Sequence, residues 1–189
     1  MAKANGKIVK SSNKTIKTNS KKDIINATAY SFLKEYINNP SPVGFESSGQ
    51  KLWLNYITKY VDTTFTDPYG TAVGVINPDA PFKVVIEAHA DEISCFVNYI
   101  NDQGLIHLKR NGGVDHQIAP SMRVWIHGKK GPVKAVFGWP AIHTRLSNPE
   151  HKEPQPKVEN LTLDCGARSK KEVEALGIHI GAVVTYEEG

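Results

Sequence analysis

The sequence predicts a mixed α/β chain in which a helical first part gives way to a small all-β region. Three observations carry this. Residues 23–60 place apolar side chains at three- and four-residue spacing, the period of helices with one buried face. From Ile93 onward the chain breaks into short β-like runs separated by Gly-containing turns, the pattern of a small barrel or sandwich. Between the two lies the apolar run Val84-Val85-Ile86, which leads into Glu87-Ala88-His89-Ala90-Asp91-Glu92. In open α/β sheets, ligands and catalytic groups gather beyond the carboxyl ends of strands, so a His and an Asp there mark the candidate site.

The elements follow in order. A first helix starts at Asp23 and sets Ile25, Ala29, Phe32, Leu33 and Tyr36 on one face; Asn38-Asn39-Pro40 stops it, because the residue before proline is pushed out of the α region. The loop 40–46 leads to a second helix with Leu52, Trp53, Tyr56, Ile57 and Tyr60 on its apolar face. Val61, Thr63 and Phe65 alternate, Asp67-Pro68-Tyr69-Gly70 turns, and Ala72 to Ile76 returns as the second arm of a hairpin. The strand ending in His89 comes next. Ile93–Ile100, Leu105–Leu108, Arg123–His127 and Val133–Phe137 are the short β runs. Residues 144–160 are polar and proline-rich, hence a mobile loop. A strand at Leu161–Cys165 precedes a short helix with a Ser169/Glu172 capping box and Gly177 at its end. Ile178–Tyr186 is the last strand.

Composition narrows the function classes. The net charge of +4 misleads: residues 1–22 hold seven lysines and no acidic residue, which leaves residues 23–189 net negative. That segment is too polar to offset its ordering entropy and reads as a disordered basic tail. No aromatic residue interleaves its lysines for base stacking, so nucleic acid is not an expected partner. No apolar run approaches the roughly 18 residues that span a bilayer, and the first residues lack a signal-peptide core, so no membrane partner is expected either. Cys95 and Cys165 are isolated, without metal-knuckle spacing, and fit buried free thiols in a reducing cytoplasm. Serine-hydrolase, P-loop and dinucleotide fingerprints are all missing.

His89 and Asp91 read as a metal ligand with a carboxylate to orient it. A neutral imidazole binds zinc through one nitrogen, and the other needs a carboxylate or carbonyl to fix tautomer and ring angle. Glu87 alternates with His89 but reads as a solvated carboxylate, and Glu92 has no assigned role. Asp115-His116 looks like a second metal pair, yet it falls after Gly112-Gly113 in the β region and is read as a loop feature; His143 is read as structural.

Taken together and in order, P-S-P-V-G-F-E at 40–46, Asp67-Pro68-Tyr69-Gly70-Thr71, A-H-A-D-E-I at 88–93, Gly112-Gly113, Pro140-x-x-His143 and D-C-G-A-R-S-K-K-E-V-E-A-L-G-I-H-I-G at 164–181 resemble a known family. It is the self-assembling dinuclear metalloaminopeptidases of the glutamyl or deblocking type, whose members are sometimes labelled endoglucanases. The resemblance runs from about Asp23 to the last residue. One departure is Gly70-Thr71 where the family usually has Gly-Asn.

The resemblance implies a zinc-peptidase αβα sandwich, present here in part, with a small β-barrel-like domain inserted after the His-x-Asp strand. It divides the chain into the tail 1–22, the first part of a catalytic domain at 23–93, and an inserted assembly domain at 94–189 that includes the start of the return. It implies that His89 ligates one of two divalent ions, Zn²⁺ or Co²⁺, that Asp91 is the catalytic residue orienting it, that peptides are the substrate, and that the protein is a homo-oligomer. The family's bridging aspartate, general-base glutamate, remaining ligands and distal histidine have no counterpart in this sequence. The expectation is therefore the N-terminal portion of an aminopeptidase, inactive alone, with weak single-site metal binding at most. Two alternatives remain at this level: a non-catalytic assembly module or decayed gene product, and, more weakly, a glycoside hydrolase.

Overall fold

The computed structural model describes residues 25–145 and 155–187. The basic tail at 1–22, the Asp23 start of the first helix and the middle of the proline-rich loop lie outside these residues.

Within the described residues, helix α1 (Ala27–Ile37) begins at an Asn26 cap, whose side chain accepts a hydrogen bond from the Ala29 amide at 2.9 Å. Such a cap satisfies one of the donors that every helix start leaves open. Helix α2 (Ser47–Ile57) runs on into a short 3₁₀ turn at Thr58–Tyr60. The two helices meet through Phe32 and Tyr56, whose rings stack at 3.9 Å between centroids. The hairpin β1 (Thr63–Thr66) and β2 (Ala72–Val75) packs against α2. Gly74 permits that approach, because a Cβ there would meet Val61 at 3.2 Å and Ile57 and Trp53 at 3.5 Å. Asp67 builds the turn: one carboxylate oxygen accepts from the amides of Tyr69 and Thr71, each at 2.9 Å. The turn uses the backbone of residue 71 rather than its side chain, so threonine in place of asparagine is accommodated.

The second half is a closed antiparallel barrel of six strands: β3 (Ser94–Ile100), β4 (Ile106–Asn111), β5 (Arg123–Gly128), β6 (Gly131–Phe137), β7 (Thr162–Asp164) and β8 (Val183–Tyr186). Their order around the wall is β3-β4-β7-β6-β5-β8, with β8 returning to β3. Alternation explains the interior. Val124 and Ile126 of β5 and Ala135 and Phe137 of β6 point inward and are buried, whereas Lys134 and Val136 face out. Val158 and Leu161, just before β7, and Val173 and Ile178, around helix α4 (Lys170–Ala175), extend the same core beyond the wall. A four-residue helix, α3 (Ile142–Arg145), follows β6.

The capping box forms in shifted register. Ser169 Oγ accepts from the Glu172 amide at 3.2 Å, while the Glu172 carboxylate reaches back to the Arg168 amide at 2.8 Å. Gly177 ends α4 with φ +92°, and Lys129 of the β5–β6 turn donates to its carbonyl at 2.9 Å. The last strand is shorter than the apolar run suggests. Gly181, at φ +84°, turns the chain between Ile178 and Val183, so only the second half of the run enters the barrel.

One expected element does not form. Residues 83–90, the run expected to be the strand that ends in His89, make no ladder, and Val84, Val85 and Ile86 are 74%, 84% and 94% exposed. The physical reason is the lack of a pairing partner. Among the described residues the barrel closes on itself, the run does not join either outer edge of the two-stranded β1–β2 hairpin, and a strand needs a neighbour to satisfy its backbone. The αβα layer implied by the resemblance is therefore present only as its helices and hairpin. The mixed α/β class with a six-stranded barrel is what the fold shows.

The barrel core makes the two thiols chemically unequal. Cys95 is 2% exposed, and burial, with Glu159 nearby as a second cause, pushes its thiol up to about 12. At pH 8 its thiolate is on the order of one part in ten thousand, and the thiolate is the reactive form. Iodoacetamide should therefore add one carbamidomethyl group to the native chain, at the partly exposed Cys165, and a second only after denaturation. Intact and peptide mass spectrometry reads both; rapid native labelling at Cys95 would show that the barrel opens.

Candidate metal-ligand site

The segment after Ile86 carries the candidate residues to the surface. His89 Nδ1 lies 3.0 Å from the Asp91 carbonyl oxygen and 3.3 Å from Asp91 Oδ1. Both are acceptors, so the arrangement favours the tautomer with its proton on Nδ1 and leaves the Nε2 lone pair outward. That is the form in which an imidazole ligates a metal. The His89 side chain is 84% exposed and that of Asp91 is 41% exposed.

Glu87 is exposed, in keeping with a solvated carboxylate. Glu92, by contrast, is engaged. Its Oε1 accepts from the Ser41 amide at 2.7 Å, and its own amide donates to the Ser41 carbonyl at 2.9 Å. Pro42 and Glu92 form an isolated parallel bridge. Sequence reasoning left Glu92 without a role, because its partner lies 51 residues away and no local pattern announces it. The only sequence signal is Ser41 set between two prolines, a residue whose amide has to find an acceptor.

Asp115 and His116 do not make a metal site. The Asp115 carboxylate caps a turn by accepting from the Gln117 amide at 2.9 Å, and His116 Nδ1 accepts from the Val158 amide at 3.0 Å. Both are spent on loop structure, as read from the sequence. His127 Nε2 lies 2.9 Å from Thr185 Oγ1, and burial holds its imidazole below the ordinary histidine range. His143 is exposed on α3, and His151 lies outside the described residues. A cavity of about 400 Å³ opens where the loop 40–45 meets the barrel, between Pro42, Phe45, His127 and His179.

Among the described residues, no three His, Cys, Asp or Glu side chains converge on a point that could hold a metal ion. Zinc sites take three or four protein ligands, so His89 with Asp91 does not by itself fit a complete centre. What the pair provides is one oriented ligand.

Several proteins similar to this chain are named as aminopeptidases or peptidases. The lysyl aminopeptidase of Pyrococcus furiosus is 27% identical over 157 residues, which cover 82% of this chain and 44% of that protein. The TET aminopeptidase structure from a marine-sediment Thaumarchaeota archaeon superposes with a TM-score of 0.77 at 21% identity, covering 84% of this chain and 44% of that one. The Pyrococcus horikoshii TET1 peptidase, described as able to assemble into a tetrahedron or a large octahedral shell, gives a TM-score of 0.67 at 22% identity, covering 85% and 47%. The last two establish the fold alone. The chain spans less than half the length of each. Residues 70–189 match the family model described as M42 glutamyl aminopeptidase, and on that match, which takes in most of the chain, the protein belongs to this family.

Proposed function

We propose that this chain contributes the His89 metal ligand and the barrel of a metal-dependent aminopeptidase, an enzyme that hydrolyses N-terminal residues from peptides. The observation that carries the reading is the His89–Asp91 pair, whose contacts favour the tautomer with Nε2 free, on a chain of the M42 family. His89 is the ligand and Asp91 the residue that orients it. A dinuclear centre needs a bridging carboxylate and several more donors, and among the described residues no further ligand stands beside His89 and Asp91. The domain scheme goes with this: a tail at 1–22, catalytic-domain residues at 23–93, and an assembly domain at 94–189. We infer a homo-oligomer on the analogy of the shell-forming relative. No helix among the described residues is long and apolar enough to cross a membrane, and cytoplasmic residence without nucleic-acid or membrane partners fits the reading. The ions are zinc or cobalt. The family match gives the glycosidase alternative no support.

Cobalt tests this directly. Substoichiometric Co²⁺ added to the isotope-labelled chain should broaden the His89 imidazole signals before those of the other six histidines. The purified chain should show no turnover of aminoacyl-p-nitroanilides with added Zn²⁺ or Co²⁺. Broadening spread evenly over the histidines sinks the ligand assignment. Metal-dependent turnover lost in His89→Ala would keep the enzyme but overturn the shared centre.

A further inference from the structure

We propose that Glu92 and Asn111 are positioning residues for His89, stitching the loop Ser41–Val43 across the junction between the His-x-Asp segment and the barrel; the inference rests on the reading of His89 as a metal ligand.

The stitch has two fastenings. At the first, the Glu92 carboxylate and amide take both backbone groups of Ser41, at 2.7 and 2.9 Å. A carboxylate accepting from an amide makes a short, charge-assisted bond of above-average strength. Pro40 and Pro42 have no N–H, so Ser41 supplies the sole amide of that tripeptide, and it goes to Glu92. Ser41 is 7% exposed, so little water competes for the bond. At the second fastening, Asn111 on β4 donates to the Val43 carbonyl at 3.0 Å and to Ser94 Oγ at 2.9 Å. Ser94 opens β3 and is fully buried. Loop residues 41 and 43 are thus tied to chain residues 92 and 94 on either side of Ile93. The rings of Phe45 and Phe96 continue the contact at 6.2 Å between centroids.

The consequence for His89 follows from what lies on its other side. Residues 83–90 have no ladder bonds, so nothing upstream in a sheet fixes the histidine. Glu92 is the first fixed point after it, three residues along, a reach of about 10 Å in extended chain. Without the stitch that point retreats to Ser94, and the tether becomes five residues. A metal ligand has to be held to about half an ångström to be useful. The barrel, through Asn111 and Glu92, supplies the reference frame.

A plain loop anchor predicts the same hydrogen bonds but no effect at His89, and that difference is measurable on the 189-residue chain without metal. In Glu92→Ala, amide exchange at Ser41 should rise about tenfold or more, and the His89 imidazole and Asp91 amide signals should shift or broaden. Signals of Ile126 and Leu163 in the barrel should stay in place. Glu92→Gln keeps an acceptor oxygen for the Ser41 amide and should restore the His89 signals. Asn111→Ala should move them too, by less, and it carries the comparison if Glu92→Ala disturbs the barrel. Unchanged His89 signals in a variant whose Ser41 amide has been freed overturn the proposal. Shifted His89 signals together with absent Co²⁺ broadening in the wild type leave the positioning intact and remove the ligand reading, so the two fail separately.

Discussion

Leu163→Ala should destabilise the barrel by about 2–5 kcal/mol, the range for truncating a fully buried leucine. Leu163 has no exposed surface and sits in the middle of β7, the shortest strand of the wall. It pairs with Ile106 on β4 and with Phe137 on β6, so it joins the two arcs of the barrel. Truncation removes apolar contact and leaves a void where only three residues hold the closure. For a unit of this size the thermal midpoint should fall on the order of 10–30 °C. Val136→Ala is the matched control. It lies next to Phe137 on β6 but points outward at 40% exposure, and should change stability by only about 0.5 kcal/mol. Calorimetry of both variants decides the point. Equal shifts would mean that the inside and outside of the wall have been assigned wrongly.

The barrel was legible because its information is local. Val124 and Ile126 alternate with Arg123 and Trp125, and the β5–β6 and β3–β4 connections carry Gly131 and Gly104 at positive φ, where glycine is the favoured residue. The Asp67 turn and the Ser169 cap were legible for the same reason. What escaped was non-local. Val84-Val85-Ile86 has the composition of a buried strand, but composition states a preference and not the presence of a neighbour. Glu92 and Ser41 are 51 residues apart, and His116 and Val158 are 42 apart, so neither partnership leaves a mark on a short window. The first helix shows a milder form of the same limit. Helix α1 starts at Ala27 because the Asn26 side chain caps it by reaching the Ala29 amide, and apolar spacing alone does not single out that cap. At the candidate site, the contact between His89 and Asp91 joins near neighbours and falls within a short window. The contact between Glu92 and Ser41 does not.

The unpaired run 83–90 should make the chain self-associate, and Val85→Lys with Ile86→Lys should largely abolish that association. Phe82, Val84, Val85 and Ile86 are each more than 70% exposed, and Tyr30 and Ile37 on α1 are more than 60% exposed. An extended apolar segment with free backbone groups is a template for strand pairing, and one copy of it can satisfy another. The substituted side chains already face solvent, so the cost to the fold should be slight, within about 0.5 kcal/mol each. The effect on association should be large. Burying each apolar side chain in a contact is worth about 1.5–3 kcal/mol, and two lysines in each copy replace that gain with charge desolvation. The dissociation constant should weaken by roughly two decades or more. Sedimentation velocity at a series of concentrations should show reversible oligomers for the wild type and a monomer for the double variant, with matching thermal midpoints. A wild-type chain that stays monodisperse and monomeric across the series would mean that residues 83–90 find a partner within the molecule.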